Sequence, residues 1–151
     1  MWMKVGQQAR ILTPNNWNRH FSVYGALNPL DGEIIFKIFD RKNGANFIEF
    51  LQILLKIYPI LDIYLVVDRA TYHRSGMVKE WLAINQRIHL IYLPPKSPRL
   101  NPIEPIWRWL KGEVAANRTY NDLEPLKQGC IETLSSLTFE DALRISGLKS
   151  G

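Results

Sequence analysis

Ile63-Tyr64-Leu65-Val66-Val67-Asp68 is an apolar run that stops on a carboxylate. Without polar alternation it suits a strand buried on both faces, the kind found inside a helix-covered sheet. On either side the pattern changes period. Before it, Phe47, Phe50, Leu51, Leu54 and Leu55 fall on one helical face. Asn46, with Glu49 three residues on, has the form of a capping box, and Pro59 closes the helix. After it, Ser75 is placed to cap a second helix with Met77, Val78, Trp81 and Leu82 inward, and Ile88 to Leu93 is another buried-type strand. A loop, Pro94-Pro95-Lys96-Ser97-Pro98, leads to a helix from Pro102 or Pro105 to Lys111. An amphipathic helix carries Leu123, Leu126, Cys130, Ile131, Leu134 and Leu137, and Thr138 caps a last short one.

Toward the N-terminus, Arg19 to Leu27 and Glu33 to Phe39 are β-rich and flank the turn cluster Asn28-Pro29-Leu30-Asp31-Gly32, which predicts an antiparallel hairpin. Gln8 to Leu12 is a candidate third strand. Hairpin strands followed by βαβ units predict an α/β fold with a mixed sheet flanked by helices.

The chain has 151 residues, the size of one domain. A composition 46% hydrophobic and 22% charged excludes a disordered or fibrous chain. The single cysteine, Cys130, excludes an intramolecular disulfide framework and fits a cytoplasmic setting; with three scattered histidines there is no zinc-site spacing. Phe47 to Val67 is strongly apolar, but Glu49, Lys56, Pro59 and Asp62 interrupt it, so no membrane span is expected. The net charge of +5 favours an acidic partner such as nucleic acid. There is no phosphate-binding glycine loop and no serine-hydrolase elbow.

Two carboxylates stand out. Asp68 ends a buried strand, and the carboxyl ends of strands form the ligand crevice of open α/β sheets. Taken alone, it could simply turn the chain. Glu104 opens the helix after the next strand, where Asn101-Pro102-Ile103-Glu104 also fits a capping box with Asn101 as N-cap. As a pair, joined by one βαβ unit, they can converge into a hard-oxygen site suited to Mg²⁺ or Mn²⁺. Phosphodiester chemistry commonly uses such ions. Lys96, Arg99, Arg108 and Lys111 cluster around Glu104 in sequence, a basic rim able to hold phosphates without reading bases, or an ordinary solvated face.

Val66-Val67-Asp68-Arg69-Ala70-Thr71-Tyr72-His73 and the block from Leu93 to Trp107 (Leu-Pro-Pro-Lys-Ser-Pro-Arg-Leu-Asn-Pro-Ile-Glu-Pro-Ile-Trp) resemble the DDE transposases of insertion sequences and the mariner-like superfamily. Trp2 to Gly6 and Val23 to Leu27 are similar as well, so the resemblance covers most of the chain. It implies an RNase H-like fold, Mg²⁺- or Mn²⁺-dependent DNA cleavage and strand transfer, and DNA, at transposon ends and target, as the partner. By it Asp68 is the second metal-binding aspartate and Glu104 the third acidic residue. His73 is a motif position that orders the active-site loop or contacts DNA, unless it is simply a surface-loop histidine. Arg69 stands where the family usually has Asn.

The resemblance also places the family's first aspartate, on the opening strand, before the segment matched by Trp2 to Gln7. Expected from this are a single core domain over residues 1–151 without the opening strand or an N-terminal DNA-binding region, a gap beside the strand ending at Asp68, and self-association. The partner would be a second copy or an upstream-encoded transposase segment. The rival expectations are a fragment that binds DNA or another transposase chain without cutting, and a nuclease of the same fold acting on RNA.

Overall fold

The structure, a computed structural model, describes residues 2–5, 9–13, 16–97, 100–117 and 123–148. Among these residues six strands form one sheet: β1 (Trp2–Val5), β2 (Ala9–Thr13), β3 (Asn16–Leu27), β4 (Ile34–Phe39), β5 (Ile63–Val67) and β6 (Ile88–Tyr92). The order is β2-β3-β1-β5-β6, with β4 on the other edge of β3. β3 is antiparallel to β1, β2 and β4, whereas β1–β5 and β5–β6 are parallel. The predicted hairpin is present as β3–β4, in register from Ser22↔Phe39 to Leu27↔Ile34. Its turn closes as the side chains dictate. Asn28 Oδ1 accepts from Leu30 N at 2.9 Å, and Asp31 Oδ1 accepts from Glu33 N at 2.8 Å. Gly32 takes φ 87°, a left-handed value that only glycine adopts without strain.

The gap expected beside β5 is absent. β1 lies there, pairing Trp2↔Tyr64, Met3↔Leu65 and Lys4↔Val66. An extended segment in that slot satisfies ladder groups on β3 and β5 that would otherwise stay unpaired. The reason given for self-association is thereby removed.

Among the described residues five helices cover the sheet: α1 (Gly44–Ile57), α2 (Gly76–Ile84), α3 (Glu104–Asn117), α4 (Leu123–Ser136) and α5 (Phe139–Ile145). The pleat of β3 sorts the core in two. Tyr24 and Ala26 face α1 and α2, with Phe47, Phe50, Leu51, Leu54 and the β5 residues Ile63, Leu65 and Val67. Phe21, Val23 and Leu27 face the other way, onto Ile103, Ile106, Trp107, Leu110, Leu126 and Cys130. Gly25, between them, lies under the Trp107 indole; a Cβ there would sit 2.7 Å from Trp107 Cζ2.

Ser75 and Thr138 cap α2 and α5 as predicted, accepting from Val78 N at 3.4 Å and Asp141 N at 3.1 Å. α1 differs. Its cap is Asn43, whose Oδ1 accepts from Asn46 N at 2.8 Å; Asn46 lies inside the first turn. Met77, expected inward, is exposed. No helix among the described residues is long and apolar enough to cross a membrane.

Burial acts on two acids in these cores. It pushes the Cys130 thiol from 9.0 up to about 11 and the Tyr24 hydroxyl from 10.0 up to about 12. The unfolded chain therefore releases these protons at lower pH than the folded one. Their contribution to stability is complete below about pH 9 and is lost as pH rises through 11 to 12. Thermal melts from pH 7 upward should show Tm falling above pH 9, less steeply in Cys130→Ala.

Candidate active site

β1, β4, β5 and β6 run the same way, so their carboxyl ends share one end of the sheet. α1 follows β4, α2 follows β5 and α3 follows β6, so these helices follow the same end. There a cleft of about 300 Å³ opens between the segment after β5 and the loop after β6. Its walls are Asp68 to Ala70 on one side and Leu93 to Ser97 on the other.

The ladder continues past both strand ends, since Leu93 N donates to Val67 O at 2.8 Å. Arg69 ties the two walls together, its Nε donating to Leu93 O at 2.9 Å. Lys96 stands in the left-handed region at φ 55° and is exposed. A side chain held there is strained unless its surroundings fix it. Ser97 Oγ donates to Pro95 O at 3.2 Å and Leu100 N to Ser97 O at 3.1 Å, which holds the turn.

The Asp68 side chain is only 16% exposed. Its Oδ1 accepts from Ala70 N at 2.9 Å, the turn expected of an aspartate at a strand end, and lies 3.1 Å from His73 Nδ1. The same nitrogen lies 3.1 Å from the Asp68 backbone oxygen. His73 belongs to a 3₁₀ turn, Thr71–Arg74, and is fully buried against Phe47 and Tyr72. The DNA contact assigned to it from sequence is therefore corrected: the ring has no surface to offer a phosphate. A surface-loop histidine is likewise not what the structure has. Tyr92 and Phe47, which sequence reasoning did not connect with His73, complete its setting; the Tyr92 hydroxyl donates to His73 O at 3.1 Å. Only their places, at a strand end and on an apolar helix face, hinted at this.

Glu104 begins α3, with its N–H donating to Asn101 O at 3.1 Å. Asn101 is buried, and its Oδ1 accepts from Ile103 N at 3.3 Å. Asn101 thus organises the turn before α3, and Glu104 is the first helical residue rather than the third. Arg108 and Lys111 follow at helical spacing on the solvent side, opposite Ile103, Ile106, Trp107 and Leu110. Asp68 and Lys96 thus share the cleft and His73 backs it, whereas Glu104, Arg108 and Lys111 lie on α3 outside its lining. Arg99 lies outside the described residues.

Among the described residues no three His, Cys, Asp or Glu side chains group as a metal cage. The chemistry nonetheless fits a hard divalent cation. The cleft wall offers a carboxylate and no thiolate, and Mg²⁺ is commonly held by one or two carboxylates together with substrate phosphates.

Residues 1–127 match a family model described as DDE superfamily endonuclease. The chain is 32% identical over 117 residues to the insertion element IS630 uncharacterized 39 kDa protein of Shigella sonnei, covering 77% of this chain and 34% of that protein. It is 30% identical over 142 residues to the Tc3 transposase of Caenorhabditis elegans, covering 90% of this chain and 43% of that one. The chain thus spans less than half the length of either relative. The catalytic domain of Mos1 mariner transposase superposes with a TM-score of 0.76 at 16% identity, covering 97% of this chain and 75% of that domain. That likeness establishes an RNase H-like fold.

Proposed function

The chain belongs to the DDE superfamily endonuclease family, and from that premise we propose that it acts in DNA transposition. Its reaction is metal-dependent hydrolysis of DNA strands at transposon ends, followed by attack of the freed 3′-hydroxyl on target DNA. The observation that carries this reading is the placement of Asp68, at the carboxyl end of β5, in a cleft with a cationic wall.

Asp68 and Glu104 would hold Mg²⁺ or Mn²⁺, which when bound supplies Lewis-acid stabilisation of the attacking and leaving oxygens. Mos1 structures with Mg and, in a paired-end complex, with Mn support the choice of ion and of transposon ends as partner. The protein's own residues do the rest. Ala70 N–H fixes the Asp68 carboxylate. Lys96 and Arg69 meet the phosphate backbone at the cleft, and Arg108 and Lys111 extend the positive face along α3. Such contacts set register and orientation without reading sequence. A second copy of the chain at the paired end is the expected protein partner.

Lys96→Ala should weaken DNA binding equally across sequences and reduce the slope of log affinity against log salt by about one. Binding titrations at several salt concentrations would check this. The substrate class is tested by offering a DNA duplex and an RNA of the same sequence with Mn²⁺. Cleavage of DNA with RNA spared supports the proposal; preferential cleavage of RNA overturns it.

A further inference from the structure

We propose that His73 is a positioning residue for Asp68, setting the carboxylate for a divalent cation from behind the cleft. The inference rests on reading Asp68 as a metal ligand.

His73 Nδ1 stands 3.1 Å from the Asp68 backbone oxygen and 3.1 Å from its Oδ1. A carbonyl and a carboxylate only accept, so Nδ1 carries the hydrogen. Oδ1 therefore accepts from Ala70 N–H at 2.9 Å and also faces the single Nδ1–H, which it shares with the backbone oxygen at the same distance. The terminal torsion of an aspartate is broad and roughly two-fold, so a single donor leaves it loose. The Ala70 bond together with an Nδ1–H that bridges the Asp68 backbone and side-chain oxygens restricts the plane of the carboxylate and hence the direction of its remaining lone pairs.

The ring itself is locked. Its centroid lies 4.4 Å from that of Phe47 on α1 and 4.2 Å from that of Tyr72. Its backbone is held by Tyr92 Oη on β6, at 3.1 Å, and by Ala70 O, at 3.0 Å. Three elements thus converge on one imidazole. The cage has one unmet need: His73 Nε2 is buried with no hydrogen-bond partner among the described residues. An apolar ring would fill this space without burying a bare nitrogen. What an apolar ring could not supply is the Nδ1–H directed at Asp68. Outer partners of this kind tune metal sites through the ligands they orient.

The test is Mn²⁺ affinity, measured by calorimetric titration of the whole chain. Asn places its amide nitrogen where histidine has Nδ1; Gln, although closer in size to the ring, places it one bond further out. His73→Asn should retain affinity within about threefold, whereas His73→Gln should lose about 10–100-fold. A residue that merely fills space would show the reverse order or none. Equal affinities in the two variants overturn the inference. Asp68→Ala separates it from the reading beneath it. If Asp68→Ala abolishes binding and His73→Gln does not weaken it, the positioning role alone fails. If Asp68→Ala leaves binding intact, the metal reading fails and takes the inference with it. Should His73→Gln not fold, Tyr92→Phe probes the same chain one link out. Weaker Mn²⁺ binding then supports the inference, and unchanged binding overturns it.

Discussion

Asp68→Ala is expected to lower Mn²⁺- or Mg²⁺-dependent DNA cleavage by about 10³-fold or more, because metal ions contribute several kcal/mol of charge stabilisation to such reactions. β5 delivers the Asp68 side chain to the end of the sheet shared by the strands that run its way, where Ala70 N–H holds its Oδ1 and His73 Nδ1 stands 3.1 Å behind it. The stability effect should be small by comparison. The substitution removes a local turn bond worth about 0.5–1.5 kcal/mol, which lowers Tm by only a few degrees in a chain of this size. Asp68→Asn keeps the acceptor for Ala70 while removing the charge, so it should retain nearly all of the stability and little of the activity. Cleavage by either variant within tenfold of the unaltered chain, in samples with matched Tm, would remove Asp68 from the site.

The second large effect is on folding. Trp107 is 2% exposed and lies over Gly25, filling the core between β3 and α3. Trp107→Ala should cost about 3–5 kcal/mol. Gly25→Ala should cost about 1–3 kcal/mol, since its new Cβ would run into the indole. The two residues share one space, so the costs should not add. With the indole gone, the methyl group of Gly25→Ala meets no ring and partly refills the cavity. Urea denaturation of the singles and the double should therefore give a coupling of about 0.5–3 kcal/mol. Strict additivity would mean that the indole does not occupy the space above Gly25.

What could be read from sequence was mostly local physics. Ile63 to Asp68 announced an interior strand because an unbroken apolar run needs cover on both faces. The Asn28 to Gly32 cluster gave the hairpin because its side chains close a turn on their own backbone. Ser75 and Thr138 announced two helix starts for the same reason. The misses are tertiary. Asn43 and Asn46 are equally good caps in isolation, and which one serves depends on where β4 releases the chain. Trp2 to Val5 carries no strong strand pattern, and its place in the sheet follows from the vacancy between β3 and β5. Gly25 shows its purpose only once Trp107, far along the chain, is laid across it. His73 looked like a loop residue because burial by Phe47 and Tyr72 is invisible in a linear motif. The site divides in the same way. The motif blocks carried Asp68 and Glu104, whereas the clasp around Asp68 had to be seen in three dimensions.

That Asp68 and Glu104 serve one metal site is the central claim, and plasmid nicking tests it most directly. Supercoiled DNA would be incubated with the chain, with Glu104→Gln, with Asp68→Ala and with the double variant, each with and without Mn²⁺. Nicking should require Mn²⁺ and be lost to a similar extent in both single variants. The double should be no worse than either, as for groups that act as a unit. Metal-dependent nicking by Glu104→Gln at the unaltered rate, or no nicking by a folded, DNA-binding chain, would contradict the account.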